Sequence, residues 1–402
     1  MNWVYGQRVL VAVVGVAALT LVACADPGGE RAAGQGRAKA SQSATGAEKG
    51  GERTSPPRIP SAKALPGWAH SLGFASDGSG FALLADCPDG NGEGCKQSVA
   101  VLDKGARAWR LAKTSPLPDT APDWGVSADL VVLGSGRALI REGKTLIDRT
   151  WYTADGGRTW TKGTTALKGT VAEVPEDGRL VSACLAMDEE GNNCGRARLA
   201  VIMPHLGEYY ALAHQPPLAG VVVPVGEAGG ALYVEGESRD TGRPTLAVST
   251  DDGITWRESP VPQPATEYSF GFSVVSGGKR TLALQIGQLP EGEAVKNGLV
   301  TIHELQADGT WKRVWAYRPG VKPNSMLGAL IADDSTLTVY SESGVWVSDT
   351  GGRTFREAEA GEEPSGSVRR TPLGWLWSDG YGNGSYRISR DGLHWHSFTL
   401  AD

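Results

Sequence analysis

The chain is poor in several things, and each shortage excludes something. Only 5 of 402 residues are cysteine and only 6 are histidine. No histidine sits in a recognisable triad context with a serine or cysteine, so hydrolysis by a Ser–His or Cys–His pair is not expected. There is no excess of positive charge: 39 Lys+Arg face 45 Asp+Glu, a formal charge of −6. That balance excludes a strongly basic nucleic-acid binder, so no nucleic-acid partner is expected. No phosphate-loop or dinucleotide glycine motif is present, and no cofactor is expected. No apolar run reaches the roughly 20 residues of a membrane-spanning helix. No 3.6-residue periodicity persists beyond the N-terminal segment, which argues against long helices. In exchange the chain holds 55 glycines, 23 prolines and 13 tryptophans. So much glycine suits many tight turns, and the tryptophans exclude a wholly disordered chain.

Residues 9–23 read VLVAVVGVAALTLVA after a single cation, Arg8. This is the length and character of the apolar core of a secretory signal. It ends Leu21-Val22-Ala23-Cys24. That tetrapeptide resembles the bacterial lipobox. The resemblance implies a signal peptide over 1–23, removed on export, and a diacylglyceryl anchor on Cys24, often with an added acyl chain such as palmitate. Stable anchoring takes two lipid signals, which that modification supplies. Cleavage would remove Arg8 and take the formal charge from −6 to −7. Residues 25–64 then hold one large aliphatic residue, Ile59, and no aromatic. Such composition buries too little to offset ordering, so 24–64 is expected to be a lipidated cysteine and a flexible linker of roughly 35 Å mean reach. The expected product is an exported, membrane-anchored protein facing outside the cytoplasm.

The other four cysteines form two local pairs. Cys87 and Cys95 flank PDGNGEG, and Cys184 and Cys194 flank LAMDEEGNN. Three pairings are possible, and locality favours 87–95 and 184–194, two disulfides closing hairpin tips in an oxidising compartment. Zinc is the alternative, but no His lies near either pair and neither spacing is that of a zinc site. Acidic loop residues such as Asp86 and Asp188 lack the alternating ligand pattern of a calcium loop, so no metal is expected.

A motif recurs through the rest of the chain: TADGGRTW at 153–160, STDDGITW at 249–256 and SDTGGRTF at 348–355, with weaker copies ADGTW at 307–311 and SRDGLHW at 389–395. Each follows a short apolar or alternating run, the pattern of a β-hairpin with Asp and Gly shaping the turn. The copies resemble the Asp-box, or BNR, repeat, S/T-x-D-x-G-x-T-W. In that family the box is the turn between the third and fourth strands of a propeller blade. The resemblance implies that Asp155, Asp251 and Asp391 cap backbone N–H groups and that Trp160, Trp256, Phe355 and Trp395 plug the space between blades. Thr350 replaces the Asp of the third copy. Counting Trp109, Tyr209 and Trp311 as further anchors gives spacings of 51, 49, 47, 55, 44 and 40 residues. The expected fold is an all-β propeller over 65–402 with seven four-stranded blades. Six or eight stay open, because the third unit has no recognisable box. In the fourth unit Gly220–225, 231–235 and 244–249 are expected as the first three strands, with Trp256 opening the last. No feature marks an oligomer, and a monomer is expected.

The resemblance puts the box turns on one face of the ring. Both cysteine loops, expected between second and third strands, fall on the other face with the Pro-rich blade connections, where propellers commonly carry ligands. Trp124, Tyr317, Arg318 and Tyr381 are the binding candidates on that face, by residue type. Two functions follow. Sialidases share this propeller, and Arg58-Ile59-Pro60 matches their first arginine motif, with Asp86 near the acid position and Tyr381 or Tyr386 as a late nucleophile. That would make an exo-sialidase-like glycoside hydrolase. Against it, Pro88 stands where an arginine belongs, and no glutamate pairs with either tyrosine. The chain is also similar to non-catalytic propellers, among them the photosystem II assembly-factor family. The favoured expectation is therefore a non-enzymatic binding or assembly module for a protein or glycan.

Overall fold

In the computed structural model the described residues are 55–88, 94–120, 126, 128–143, 147–189, 193–262, 269–289, 295–359, 365–379 and 384–401. They hold twenty-eight strands and no helix. The strands form seven four-stranded sheets, so the molecule is a seven-bladed β-propeller. The inner strands, in blade order, are Trp68–Phe74, Ala128–Val132, Arg179–Met187, Leu218–Ala228, Ser269–Gly277, Gly328–Ile331 and Ser367–Thr371.

Each blade exposes two apolar sheet faces, and seven buried clusters fill the seven seams between neighbours. One cluster joins Phe81, Leu83 and Val101 of blade 1 to Ile140, Trp151 and Trp160 of blade 2. Another joins Tyr233 and Val248 of blade 4 to Phe272, Val274 and Trp311 of blade 5. The seam of blades 7 and 1 gathers Ile388 and Phe398 with Phe74 and Trp109. All seven aromatic anchors lie in seams, one apiece: Trp109, Trp160, Tyr209, Trp256, Trp311, Phe355 and Trp395.

The turns that hold these aromatics are tied by short-range hydrogen bonds. Thr255 N donates to Asp251 Oδ1 at 2.9 Å and Thr255 Oγ1 to Oδ2 at 2.6 Å, while Gly253 N donates to Ser249 Oγ at 2.8 Å. Asp155 accepts in the same way from Arg158 N, Thr159 N and Thr159 Oγ1. Burial works against the Asp155 charge, but these donors prevail and hold the carboxyl at about 2. In blade 6 the hydroxyl of Thr350 accepts from Thr354 N at 3.0 Å, doing with one oxygen what the carboxylate does with two. Asp391 accepts from Leu393 N and His394 N in the shortened turn of blade 7.

Six blades are wound alike, from the inner strand outward. In blade 4 the strands are Leu218–Ala228, Ala231–Ser238, Pro244–Ser249 and Arg257–Ser259, so the first two expected strands are lengthened, the third is as expected and the last opens one residue after Trp256. Blade 3 differs. Its outermost strand, Leu167–Val171, comes first in the chain and docks parallel on Tyr209–Leu212. The chain then returns past Asp252, whose carbonyl accepts from Val174 N at 2.7 Å. It enters the blade at Arg179 from the face of the box turns, so this inner strand runs opposite to the other six. Asp177, just before it, is paired at 2.9 Å with Arg137 in the first turn of blade 2. No third-to-fourth turn exists in this blade, which is why the unit carries no box. It also corrects the expected place of the second cysteine loop, which lies between the first and second strands of its blade. Because the direction is reversed, it still opens on the same face as the first.

Both disulfides are formed as locality favours, Cys87–Cys95 and Cys184–Cys194. The linker expected over 24–64 needs correction where it is described. Residues 55–64 pack on the ring, because the one large aliphatic, Ile59, is 3% exposed within the seam of blades 7 and 1. Around it Ala62 N donates to Thr399 O at 2.8 Å and Ala401 N to Ala62 O at 3.1 Å. His396 Nε2 donates to Ile59 O, and Trp109 Nε1 to Pro60 O. Every blade is complete within a continuous stretch of chain, so this segment staples the ring where the two ends meet. Residues 1–54, including Cys24, lie outside the described residues.

Two outcomes are expected. Trp311 is 4% exposed and donates its indole N–H to Ser259 Oγ at 2.9 Å. Trp311→Ala should cost about 3–5 kcal/mol in denaturant unfolding. Deleting through residue 62 should lower stability by at least about 2 kcal/mol relative to deletion through residue 54, from loss of the buried isoleucine alone. Equal unfolding midpoints would show that the segment does not hold the ring.

Candidate functional site

The box turns and, in every blade but the third, the first-to-second turns form one face of the ring. The two cystine hairpins and the blade connections form the other. On the cystine face the rim is tied down. Cys95 N donates to Thr120 Oγ1 at 2.8 Å, Thr120 N to Cys95 O at 3.0 Å, and Gln97 Nε2 to Pro118 O at 2.8 Å. These bonds fasten the connection after blade 1 to its disulfide hairpin.

Inner strands reach the channel mouth on this face. Trp68 and Phe270 stand at the starts of the inner strands of blades 1 and 5, Leu327 just before that of blade 6, and Leu185 near the end of the reversed strand of blade 3. All four are exposed, from 37% for Trp68 to 56% for Phe270. Apolar side chains exposed at strand ends on one face of a stiff scaffold are costly unless something covers them.

Polar groups lie beneath this apolar rim. His70 meets Trp68 edge-on, with ring centroids 5.6 Å apart. Burial holds its imidazole at about 4, against the opposing pull of the Asp129 carboxylate, so it is neutral at physiological pH. Its Nε2 is buried with no hydrogen-bond partner. A buried polar atom left unpaired costs free energy that a ligand group could recover. Asp129 accepts from Arg141 Nη2 at 2.7 Å, and Arg141 also approaches Asp148 at 3.9 Å. Burial opposes the Arg141 charge, but the Asp129 bond keeps its pKa above the ordinary value. Beside them burial pushes the Tyr209 phenol up to about 12.

A second titratable group lies in the seam of blades 4 and 5. Glu235 accepts from Phe272 N, two residues from the exposed Phe270. Gly271 lets the strands approach, since a Cβ there would lie 2.6 Å from the carboxylate oxygens. Burial pushes the Glu235 carboxyl up to about 7, with the Phe272 N–H pulling the other way.

The residues nominated by type fare differently. Trp124 and Tyr381 lie outside the described residues. Arg318 is exposed, but Tyr317 is half-buried against the seam of blades 5 and 6, a correction to its expected exposure. The residues nominated for sialidase chemistry do not converge. Arg58 lines a small pocket with Asp77, Gly105 and Arg390, beside the turns of the opposite face. Asp86 is exposed at the end of the second strand of blade 1, on the cystine face. Tyr386 is 7% exposed, stacks on Phe398 and donates its hydroxyl to Ala69 O at 2.8 Å. Burial pushes that phenol up to about 12, the reverse of an activated nucleophile. Among the described residues no histidine is hydrogen-bonded to a serine hydroxyl or cysteine thiol.

Trp68, His70, Asp129, Arg141, Glu235 and Phe270 escaped the sequence reading, which looked for aromatics and arginines in loops. Trp68, His70, Asp129 and Phe270 lie near the starts of inner strands and Arg141 and Glu235 on the second strands beside them, a placement visible only once strand order is known.

No protein-family profile and no curated protein sequence matches the chain. Several solved structures of distant sequence resemble the chain. They include the Penicillium chrysogenum α-L-arabinanase complexed with arabinobiose, at 12% identity and TM-score 0.36, spanning 87% of this chain and 94% of that one. YCF48 from Cyanidioschyzon merolae is 11% identical with TM-score 0.41, spanning 84% and 95%. The β-propeller domain of the Trilobed protease from Pyrococcus furiosus is 11% identical with TM-score 0.40, spanning 83% and 92%. The seven blades of this chain rest on its own strand pairings, and no residue of those proteins' sites transfers to it.

The raised Glu235 pKa has a definite sign. A carboxyl that is harder to ionise when folded contributes stability below its unfolded pKa, near 4.5, and loses it as pH rises through about 7. Glu235→Gln should therefore flatten the stability–pH curve between those values and make the protein more stable than wild type at pH 8, in urea unfolding across that range.

Proposed function

We propose that the chain is exported, anchored by lipid at Cys24, and works as a binding module whose cystine-face mouth receives an apolar segment of a partner protein. The observation that carries this reading is the exposure of Trp68, Leu185, Phe270 and Leu327 at the ends of inner strands on one face. Aromatic residues buried at the centre of an interface supply most of its binding energy. A rim fixed by two disulfides needs little ordering on binding, which lowers its cost. The composition of the mouth favours a protein over a glycan. Leu185 and Leu327 offer no stacking surface to a sugar, and the Asp129 and Arg141 side chains are already engaged with each other.

Two features support the cellular setting: the Leu21-Val22-Ala23-Cys24 lipobox and a pair of disulfides of the kind kept in oxidising compartments. The Asp-box resemblance explains the turns, which are structural, and gives no partner. The arrangement of Arg58, Asp86 and Tyr386 gives the sialidase-like alternative no support.

The test is a peptide-library selection on the purified full chain, with a glycan array in parallel. Selected peptides should carry clustered apolar residues, and Trp68→Ser with Phe270→Ser should weaken them about tenfold or more. Glycan binding without peptide selection, or peptides indifferent to both substitutions, would overturn the reading. Cys24→Ala should move the protein out of the membrane fraction, and an unchanged distribution would refute the anchor.

A further inference from the structure

The pocket that Arg58 lines lies on the face of the box turns, opposite the apolar mouth, where blades 7 and 1 meet. It holds about 230 Å³. Its walls come from residues 57–59, from two turns of blade 1 and from two turns of blade 7. These parts of the chain are brought together because residues 59–62 are pinned across the seam, with His396 Nε2 donating to Ile59 O at 2.8 Å. The floor is apolar: Pro57, Ile59, Leu102 and Leu373 are all buried, Ile59 and Leu102 each to 3% exposure. A dry apolar cavity of about 150 Å³ is enough to hold benzene. This one has room for a single ring or a branched chain and a small polar head, and for little more.

The rim is cationic. Arg58 and Arg390 both line it, both are exposed, and among the described residues neither makes an ion pair. Arg390 donates from Nη1 to Ser55 O at 3.3 Å, and Arg58 makes no hydrogen bond. A guanidinium carries five donors in a planar fork that matches a carboxylate, so most of these donors are free for a ligand. The one acid of the lining is already engaged. Asp77 Oδ1 accepts from Ser79 N at 3.0 Å and Ser79 Oγ at 2.7 Å, and Lys104 Nζ stands 3.9 Å from Oδ2. Burial opposes its charge, but the hydrogen bonds of Ser79 and Ser135 and the charge of Lys104 prevail and hold the carboxyl below its ordinary range. Asp77 therefore stays ionised, which disfavours an anion of two charges beside it. The two arginines favour an anion of one.

We propose that this pocket binds a small monocarboxylic acid with a compact apolar body, a single ring or a branched chain. The carboxylate lies against Arg58 and Arg390, and the body covers the floor of Ile59, Leu102 and Leu373. The site is separate from the apolar mouth. Its ligand touches residues 57–59, blade 1 and blade 7 at once, so binding tightens the closure of the ring.

The test uses the full chain and two probes, sodium benzoate and sodium isovalerate, titrated calorimetrically at constant ionic strength. At least one should bind saturably at a single site. The matching amides, benzamide and isovaleramide, keep the shape without the charge and should bind about tenfold more weakly or worse. Sodium sulfate, which has no apolar body, should do likewise. Arg58→Met and Arg390→Met should each weaken the acid about fivefold, the upper end for an exposed ion pair. Arg318→Met, an exposed arginine on the other face, should leave it unchanged. If Arg390→Met loosens the segment it touches at Ser55, Arg58→Met decides alone, since it removes no hydrogen bond. Absence of saturable binding by both acids overturns the proposal. So does equal binding of the amide or of sulfate, affinity unmoved by Arg58→Met, or an equal loss in Arg318→Met.

Discussion

Everything in this molecule depends on the filling of the space between blades. A four-stranded sheet this twisted has two apolar faces and cannot bury either by itself, so each blade is stable only against its neighbours. The clusters that fill the seven seams are built of the same parts: β-branched and leucine side chains from two blades, and one aromatic from the strand or turn at the periphery. Trp311 shows the arrangement best. Its ring packs edge-on against Tyr233 of the preceding blade, and its indole N–H finds Ser259. The turn bonds of Asp155 and Asp251 serve the same end, because they fix the backbone from which Trp160 and Trp256 project.

That constraint also explains the two departures from regularity. Blade 3 receives its outer strand from the chain preceding it, which reverses the blade's winding, yet its seams are filled like the others. Tyr209 reaches the seam of blades 2 and 3 from a third strand rather than from a box turn. At the seam of blades 7 and 1, where no covalent connection crosses, Ile59 and the hydrogen bonds of residues 59–62 do what a chain connection does elsewhere. A propeller tolerates variation in how a blade is threaded more readily than a gap between blades.

The functional face follows from the same geometry. Inner strands must end at the channel mouth, and their terminal residues are released from the demand to fill a seam. Trp68, Leu185, Phe270 and Leu327 are therefore free to be apolar for another purpose. Just below them the packing resumes, and polar groups caught there carry shifted pKa values: His70 held neutral, Glu235 held protonated up to about neutral pH.

How much of this could be read from the chain alone is a matter of range. The box turns are local: a hydroxyl, a carboxylate, a glycine and an aromatic within eight residues specify both the turn and the periodicity, so fold class and blade number were legible. The disulfides were legible for the same reason, each closing a loop of about ten residues. Ile59 was misread as tether because its one apolar side chain looks inadequate until Leu400 and Trp109, more than forty residues away in either count, come to meet it. The reversed blade could not be read, since parallel pairing of Leu167–Val171 with Tyr209–Leu212 leaves no local mark. The site is entirely of this second kind. Trp68 and Phe270 are two hundred residues apart, and only closure of the ring brings such strand ends to one face. The sequence by itself determined the turns, their spacing and hence the blades. The tertiary structure decided which strand ends face the mouth, because side-chain direction depends on strand order and winding rather than on neighbours in the chain.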